Sequence, residues 1–404
     1  MILHNLTKVR LFRIILRISY PFAWLMFFPL AIRRRNEKRM FFFFDRYSIG
    51  GAQKIHMDVL ESVKDLPKWV YFTRRSFDTQ FKERFYSVPN TISRDVHMWC
   101  DYLLFRVFSV HYFSFLVNSY KDAVIFSSNS TFFYDMLPFI KRSHVVIEML
   151  HNFTYGKKGM EFFGLANYRY MDTRIVYDSF THQNLVEQYK QYKIPQEYTD
   201  RIRFIEYGVS VPSEKAIKPT TPPLKVLYAG RGAAQKRIWL LNRIVKHFIK
   251  DARIQFIFAG SMIAELDEAV KAKSRVYSEI GDQKEMEALF SEAHVIILTS
   301  AFEGFPVVIK EGMSFACIPV VTALPGNKMH LQHLSNSLLI ENFENENFVV
   351  EEAIRHLEKL INEPTLVTSL STAVYQYAKL HFAKDSFLKA HRELITSPLN
   401  RYSR

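Results

Sequence analysis

The chain has 404 residues, 48% of them hydrophobic and 23% charged, with only 13 Gly and 15 Pro. That balance excludes a disordered or collagen-like chain, and the length favours two or three domains over one. The net charge is +14, but nine basic residues against one acid give residues 1–40 a net +8 and leave +6 for the other 364. A charge this lopsided points to an anionic membrane as readily as to nucleic acid. The two cysteines, Cys100 and Cys317, exclude a disulfide scaffold and a Cys-rich zinc site and fit a reducing compartment.

Residues 11–32, LFRIILRISYPFAWLMFFPLAI, are strongly apolar and lead into Arg33, Arg34 and Arg35. No small-residue cleavage site follows, which speaks against a signal peptide. The uncharged part from Ile18 to Ile32 is 15 residues long and contains Pro21 and Pro29, whereas a spanning helix wants about 20 apolar residues. Arg13 and Arg17, four apart, share a helical face, with Phe22, Trp24, Phe27 and Phe28 as apolar wedges. Residues 1–39 are therefore expected to associate peripherally with the inner leaflet of an anionic membrane, on the cytoplasmic side. The plainer alternative is a helix packed on the protein's own core.

From Met40 the chain alternates apolar runs with helical stretches. Strands are expected at 40–44, 69–73, 122–127, 144–150, 173–178 and 202–206, in a first domain of residues 40–212. Val211 to Pro223 holds four prolines, which stop helix and central strand alike, so a linker is expected at 213–223. A second domain, 224–385, follows with strands at 225–229, 254–259, 274–278, 294–299, 317–322 and 337–340. A C-terminal helix, 386–404, is expected to cross back to the first domain. Continuous apolar runs separated by helices indicate parallel sheets buried on both faces. The expected class is α/β: two Rossmann-like, doubly wound domains facing across a cleft, with ligands outside the carboxyl ends of the strands.

The loops there carry the chemistry. After strand 294–299 comes Glu303-Gly304-Phe305-Pro306-Val307, with Pro306 suited to the first position of a helix. Amides around Phe305 to Val308 would then meet an anion at the positive end of the helix dipole. Glu311 sits about 7.5 Å further along the axis at about 1.5 Å per residue and could accept bonds from two ribose hydroxyls. Taken alone, two glutamates eight apart are common. After strand 225–229, Arg231 and Lys236 could hold a diphosphate, the arginine as a fork and the lysine as a point charge. Gly50 and Gly51, between the first strand and a helix, let the backbone approach a ligand closely. His151 follows strand 144–150 and would project into the cleft, and Ser127 to Ser130 follow strand 122–127. His330 and His333 lack a third metal ligand and read as a surface helix. The aromatic content of 15% has no RRM-like or OB-like pattern, so no nucleic-acid partner is expected.

In this setting the sequence resembles the GT-B glycosyltransferases, in particular the retaining family-4 group. The E-x7-E element of that group reads Glu303 to Glu311 here, with Ser300, Gly304, Phe305, Pro306 and Met313 in register. Pro319-Val320-Val321 and Pro325-Gly326-Asn327 also fit, and the likeness extends from about Met40 to the 380s. Four departures stand out: Arg237 where Gly often follows the lysine, Gly312 for a usual Ala, Ala316 for a usual Gly, and Tyr207-Gly208-Val209 for Asn-Gly-Val.

The resemblance implies a retaining glycosyltransferase that uses a UDP- or GDP-linked sugar as substrate, with no metal or other cofactor. It places Arg231 and Lys236 on the diphosphate, and Glu303 with Gly304, Phe305, Pro306 and Val307 at the sugar. Glu311 falls on the ribose, Val276 and Tyr277 near the base, Gly50 and Gly51 near donor phosphate and acceptor, and His151 near the transferred sugar. Catalytic weight falls on Glu303, His151, Lys236 and Arg231. The basic N-terminus suggests a lipid-linked or lipopolysaccharide glycan acceptor in bacterial envelope polysaccharide synthesis. Three other readings remain. Paired carboxylates also suit a hydrolase, although a ribose-bound Glu311 cannot serve as its base. A nucleotide-dependent oxidoreductase would want G-x-G-x-x-G, where this chain has only Gly50-Gly51. A membrane-bound scaffold with a decayed site is the non-enzyme reading.

Overall fold

The computed structural model describes residues 2–33, 35–48, 50–151, 153 and 159–400, without the side chains of 2–10, 36, 38 and 398–400. Met1, Arg34 and the side chains of Lys8, Arg10 and Lys38 in the expected N-terminal segment, and residues 401–404 of the expected C-terminal helix, lie outside the described residues. The chain forms two compact units, one running to Ile205 and resuming at Leu388, the other Glu206–Phe387.

The first unit is built on β1 (Arg35–Phe44), β2 (Lys68–Phe72), β3 (Thr91–Asp95), β4 (Tyr120–Ser128), β5 (Val145–Leu150), β6 (Thr173–Val176) and β7 (Ile202–Phe204). They form one parallel sheet in the order β3-β2-β1-β4-β5-β6-β7. The second unit has β8 (Leu224–Ala229), β9 (Ile254–Ala259), β10 (Arg275–Tyr277), β11 (Val295–Leu298), β12 (Ile318–Thr322) and β13 (Leu338–Ile340). Their order is β10-β9-β8-β11-β12-β13, again parallel. The expected doubly wound α/β class holds in both. Each sheet starts centrally, grows one way and then crosses back. The reversal falls between β1 and β4 in one unit and between β8 and β11 in the other, the places where loops at the carboxyl ends diverge.

The Phe41–Phe44 run explains how the first sheet is buried. Side chains alternate across a strand. Phe43 packs edge-on against Phe113 of the helix Leu103–Asn118 at 5.8 Å between centroids, while Phe42 and Phe44 meet Phe126 on the other face. Every one of the four is buried, so a continuous aromatic run is the pattern this position demands.

The N-terminal segment packs one side on the first unit's own core, as the plainer alternative expects. The helix Ile2–Met26 runs on through Pro21. Leu16 belongs to the core that includes Val110 and Phe113, and Ala23 and Phe27 pack on Phe115. Arg13 turns inward to donate to Asn167 Oδ1 at 2.5 Å, whereas Arg17 is exposed, so the two arginines do not share an environment. Strand β1 begins at Arg35 rather than Met40. Arg35 and Arg39 lie over the Tyr120 ring at 4.8 and 5.9 Å and so belong to the amino end of the central strand β1, not to an appended segment. Among the described residues no helix is long and apolar enough to cross a membrane.

The chain changes unit at Ile205–Glu206, ahead of the proline-rich stretch. That stretch is tied into the second unit by hydrogen bonds. Tyr375 donates its hydroxyl to Pro212 O at 2.7 Å, Lys218 donates to Phe290 O and Ser291 O at 2.8 Å each, and His294 Nε2 meets Pro219 O at 2.8 Å. Returning at Leu388, the helix Lys384–Asn400 sets Arg392 as a fork on Asp65, at 2.6 and 2.8 Å.

Candidate functional site

In the second unit the loops after β8 and β11 are laced together at the switch point. Ala301 N donates to Gln235 O at 2.8 Å, Gln235 Nε2 to Phe302 O at 2.6 Å, and Thr299 Oγ1 to Lys236 O at 3.1 Å. This lacing brings Lys236 and Glu303 into a salt bridge, each side chain only 13% exposed. Arg231 stands exposed on the same loop. Its carbonyl accepts from the Tyr228 hydroxyl at 2.9 Å, and burial, then Glu303 and Glu265, push that phenol well above its ordinary pKa. A Cβ on Gly232 would lie 2.2 Å from Glu265 Oε1 and 3.0 Å from Met262 Cα, so a side chain there would displace the glutamate.

Arg237 is the main residue that sequence reasoning passed over, having noted it only as a departure. Its φ is +52°, the left-handed region that favours glycine. Its buried guanidinium donates to Thr299 O at 2.6 Å, Ser300 O at 3.1 Å and Phe343 O at 2.8 Å. The arginine therefore holds the β11 loop that presents Glu303. The other departures have equally local causes. Ala316 also has positive φ, +63°. A Cβ on Gly312 would press on Ile296 at 3.2 Å, and one on Gly208 would meet Ala383 O at 2.7 Å.

Pro306 is not the first helical residue as expected. Its ψ of 131° is extended, so it is the N-cap of the helix Val307–Ser314, and its carbonyl accepts from Ile309 N at 3.0 Å. No side chain caps this end, which leaves the positive end of the dipole unclaimed by the protein's own caps. The Phe305 side chain is buried against His330, 4.5 Å between centroids, so its backbone is what the loop can offer. Gly304 lies against the turn at Gly326, where a Cβ would come within 2.1 Å of Gly304 O. Glu311, the fifth residue of the helix, is half-buried, as is Val307. Lys310 fastens the helix from below, donating to Glu206 Oε1 at 3.0 Å and Tyr207 O at 2.9 Å.

Val276 and Tyr277 lie on the edge strand β10, both half-buried. The Tyr277 hydroxyl accepts from Arg275, which in turn pairs with Glu292 at 2.7 Å. His330 and His333 are not on a helix, as expected, but in the turns after Lys328. His330 is turned inward, 3.1 Å from Glu206 Oε1, and His333 accepts from Leu339 N at 3.1 Å. Among the described residues no three His, Cys, Asp or Glu side chains come together as a metal-binding group.

In the first unit, Gly50 precedes the helix Gly51–Ser62, and a Cβ on Gly51 would meet nothing within 4 Å. His151 stands at the end of β5, buried, with Nε2 2.8 Å from His56 Nε2. Ser127, Ser128 and Ser130 are buried, their hydroxyls bonded to Phe43 O, Met149 O and Thr73 Oγ1. These bonds take up the three hydroxyls at the carboxyl end of β4. Asp45, missed in the sequence, follows β1, and burial raises its pKa to about 6. His56 was missed too. The available signal was a histidine on the apolar stripe Ile55, His56, Val59, Leu60.

Two parallel sheets with this shared strand order, each switching at its first strand, define a GT-B fold. Solved structures agree at the level of fold. The Anabaena protein Alr3699/HepE, solved in complex with UDP-glucose, matches with TM-score 0.68 at 14% identity, covering 89% of this chain and 99% of that one. The lipopolysaccharide outer core galactosyltransferase WaaB matches with TM-score 0.61 at 16% identity over 89% and 99%. Residues 223–359, within the second unit, match the family described as Glycosyl transferases group 1. A GDP-mannose:cellobiosyl-diphosphopolyprenol alpha-mannosyltransferase of Xanthomonas oryzae pv. oryzae is 28% identical over 135 residues, 31% of this chain and 35% of the relative. The chain spans less than half the length of the curated relatives it matches.

Proposed function

We propose that the protein is a retaining, metal-independent glycosyltransferase acting on a nucleoside-diphosphate sugar, UDP- or GDP-linked. The observation that carries this reading is the contact of Lys236 with Glu303 at the β8–β11 switch point, just ahead of an uncapped helix N-terminus. A cation, a carboxylate and a helix end in succession suit a ligand with a diphosphate beside a sugar. Arg231 and Lys236 take the diphosphate charge, which grows as the glycosidic bond breaks. Glu303 and the Gly304–Val307 backbone hold the sugar, Glu311 the ribose, and the Val276–Tyr277 edge the base. In the first unit Gly50, Gly51 and His151 keep the roles the resemblance implies. The bond from the sugar's anomeric carbon to the diphosphate breaks, and a bond to the acceptor oxygen forms on the same face. The acceptor hydroxyl's proton passes to the departing phosphate oxygen.

The acceptor is a lipid-linked or lipopolysaccharide glycan of the bacterial envelope, reached from the anionic inner leaflet. Support comes from the exposed face of the N-terminal helix, with Phe22 72% exposed. That face continues through the Phe27–Phe108 contact at 4.9 Å to Trp99 and to Leu104, 86% exposed. An apolar shelf of this kind beside a basic segment suits an anionic bilayer surface. Turnover of a panel of UDP- and GDP-sugars, read as nucleoside diphosphate released, tests the reading. No release and no binding of either diphosphate would overturn it.

A further inference from the structure

His151 is backed by a second histidine that the resemblance does not assign. His56, on the helix Gly51–Ser62, meets it Nε2 to Nε2 at 2.8 Å, and both rings are buried. His56 is fixed by parallel stacking on Phe44, 4.2 Å between centroids at 3°. His151 stands edge-on to Tyr177 at 5.3 Å. Burial keeps both rings neutral, lowering His151 to about 3 and His56, with the neighbouring imidazole adding to burial, well below its ordinary value.

Two neutral imidazoles share such a bond only if one donates and the other accepts, so the pair holds opposite tautomers. Whichever ring accepts at Nε2 carries its proton on Nδ1. Both Nδ1 atoms are buried with no hydrogen-bond partner among the described residues. A buried N–H without a partner is rarer than an unmet acceptor. The His56 ring is stacked on Phe44 of β1, while His151 stands at the carboxyl end of β5, where ligands gather in such sheets. The N–H therefore belongs on His151.

We propose that His56 is a positioning residue. It donates Nε2–H to His151 Nε2, fixes that ring's plane, and leaves His151 as the Nδ1–H tautomer, a donor to an oxygen of the bound sugar or phosphate. The inference rests on the transferase reading for its ligand but not for its tautomer.

The test uses full-length protein labelled with 15N-histidine and ring-nitrogen correlation spectra, with nucleotide-sugar turnover alongside. Wild type is expected to show His56 protonated at Nε2 and His151 at Nδ1. His56→Leu should mix the His151 tautomers and lower kcat about tenfold with less than a twofold change in KM, the scale of one buried hydrogen bond. His56→Gln, whose amide can reach the same nitrogen, should restore the Nδ1–H form and most of kcat. A wild-type His151 protonated at Nε2 overturns the proposal even if His56→Leu does not fold. So does a His56→Leu protein with wild-type tautomer and kcat. A wild type that turns over no nucleotide sugar sinks the transferase reading and leaves the tautomer result to judge the pair.

Discussion

At Arg237 backbone and side chain pull in opposite directions. The residue sits at φ +52°, ψ +53°, where an L side chain costs about 1 kcal/mol relative to glycine. Its guanidinium, 5% exposed at the residue level, gives three bonds to Thr299 O, Ser300 O and Phe343 O. Hydrogen bonds to a charged group contribute roughly 1.5–3 kcal/mol each. They do not sum here, because burial of the cation works against them, lowering its pKa, with Glu346 acting the other way. Arg237→Ala is expected to destabilise the protein by about 3 kcal/mol, and Arg237→Gly by about 2 kcal/mol, since glycine recovers the strain. Urea midpoints of the two variants side by side measure this, because their difference cancels everything except the backbone preference. Both should also raise KM for the nucleotide sugar several-fold, because the β11 loop loses its anchor. An alanine variant as stable as the glycine variant would refute the strain. Two variants as stable as wild type would refute the anchor.

Lys236→Ala and Glu303→Ala should each abolish sugar transfer while the circular dichroism spectrum stays that of wild type; retained transfer in either removes that residue from the site. Leu104→Glu and Phe22→Glu should each reduce flotation with anionic liposomes and leave thermal stability within about 1 kcal/mol, since both side chains are exposed. Unchanged flotation in both would detach the shelf from the membrane. Acid should destabilise the fold between pH 6 and 4. His144 and His330 are held neutral by burial with pKa about 4, and His151 about 3, so in that window the unfolded chain binds more protons. Each contributes up to about 1.4 kcal/mol of lost stability per pH unit. Asp45, raised to about 6, works the other way between 3.8 and 6 as the folded state binds its proton. A melting temperature that rises on acidification through this window would contradict the sign.

The strands were legible where burial is two-sided. Phe41–Phe44, Val295–Leu298 and Ile318–Thr322 read as apolar runs because neither face meets water. Strand β3, Thr91–Asp95, escaped for the opposite reason: it is an edge strand of polar residues with one buried position. Its pairing with β2 starts beside Lys68, a buried lysine capped by the carbonyls of Val63, Leu66 and Pro89, and no local pattern announces that arrangement. The Lys236–Glu303 contact could be guessed from two loops at neighbouring strand ends. The His56–His151 contact could not, because it joins residues 95 apart through a helix whose rotation the sequence leaves open. The unit boundary was misplaced because prolines mark where the backbone is irregular, not which side it packs on. Here the irregular stretch is bonded to Tyr375, Phe290 and His294.

The same contrast bears on the charge. Arg231, Lys236 and Arg237 stand within seven positions of one loop and count equally toward the net charge. One is exposed, one is paired with a carboxylate, and one is buried against backbone carbonyls. An ammonium has three donors, so Lys236 can keep Glu303 and still receive a phosphate oxygen. The guanidinium of Arg237 is already committed to two carbonyls of the loop it holds and to Phe343 O beyond β13. Exchanging the two residues would conserve charge and composition and still fail. A lysine at position 237 would have to meet from one nitrogen the three carbonyls that the arginine meets from Nε, Nη1 and Nη2, and a planar fork at 236 would need a different approach to Glu303. The exchanged protein should lose stability and transfer together, although its net charge is unchanged. The N-terminal charge divides in the same way: Arg17 is exposed, Arg13 is bonded to Asn167, and Arg35 and Arg39 lie over Tyr120. A membrane surface can therefore draw on only part of the charge that composition assigns to it.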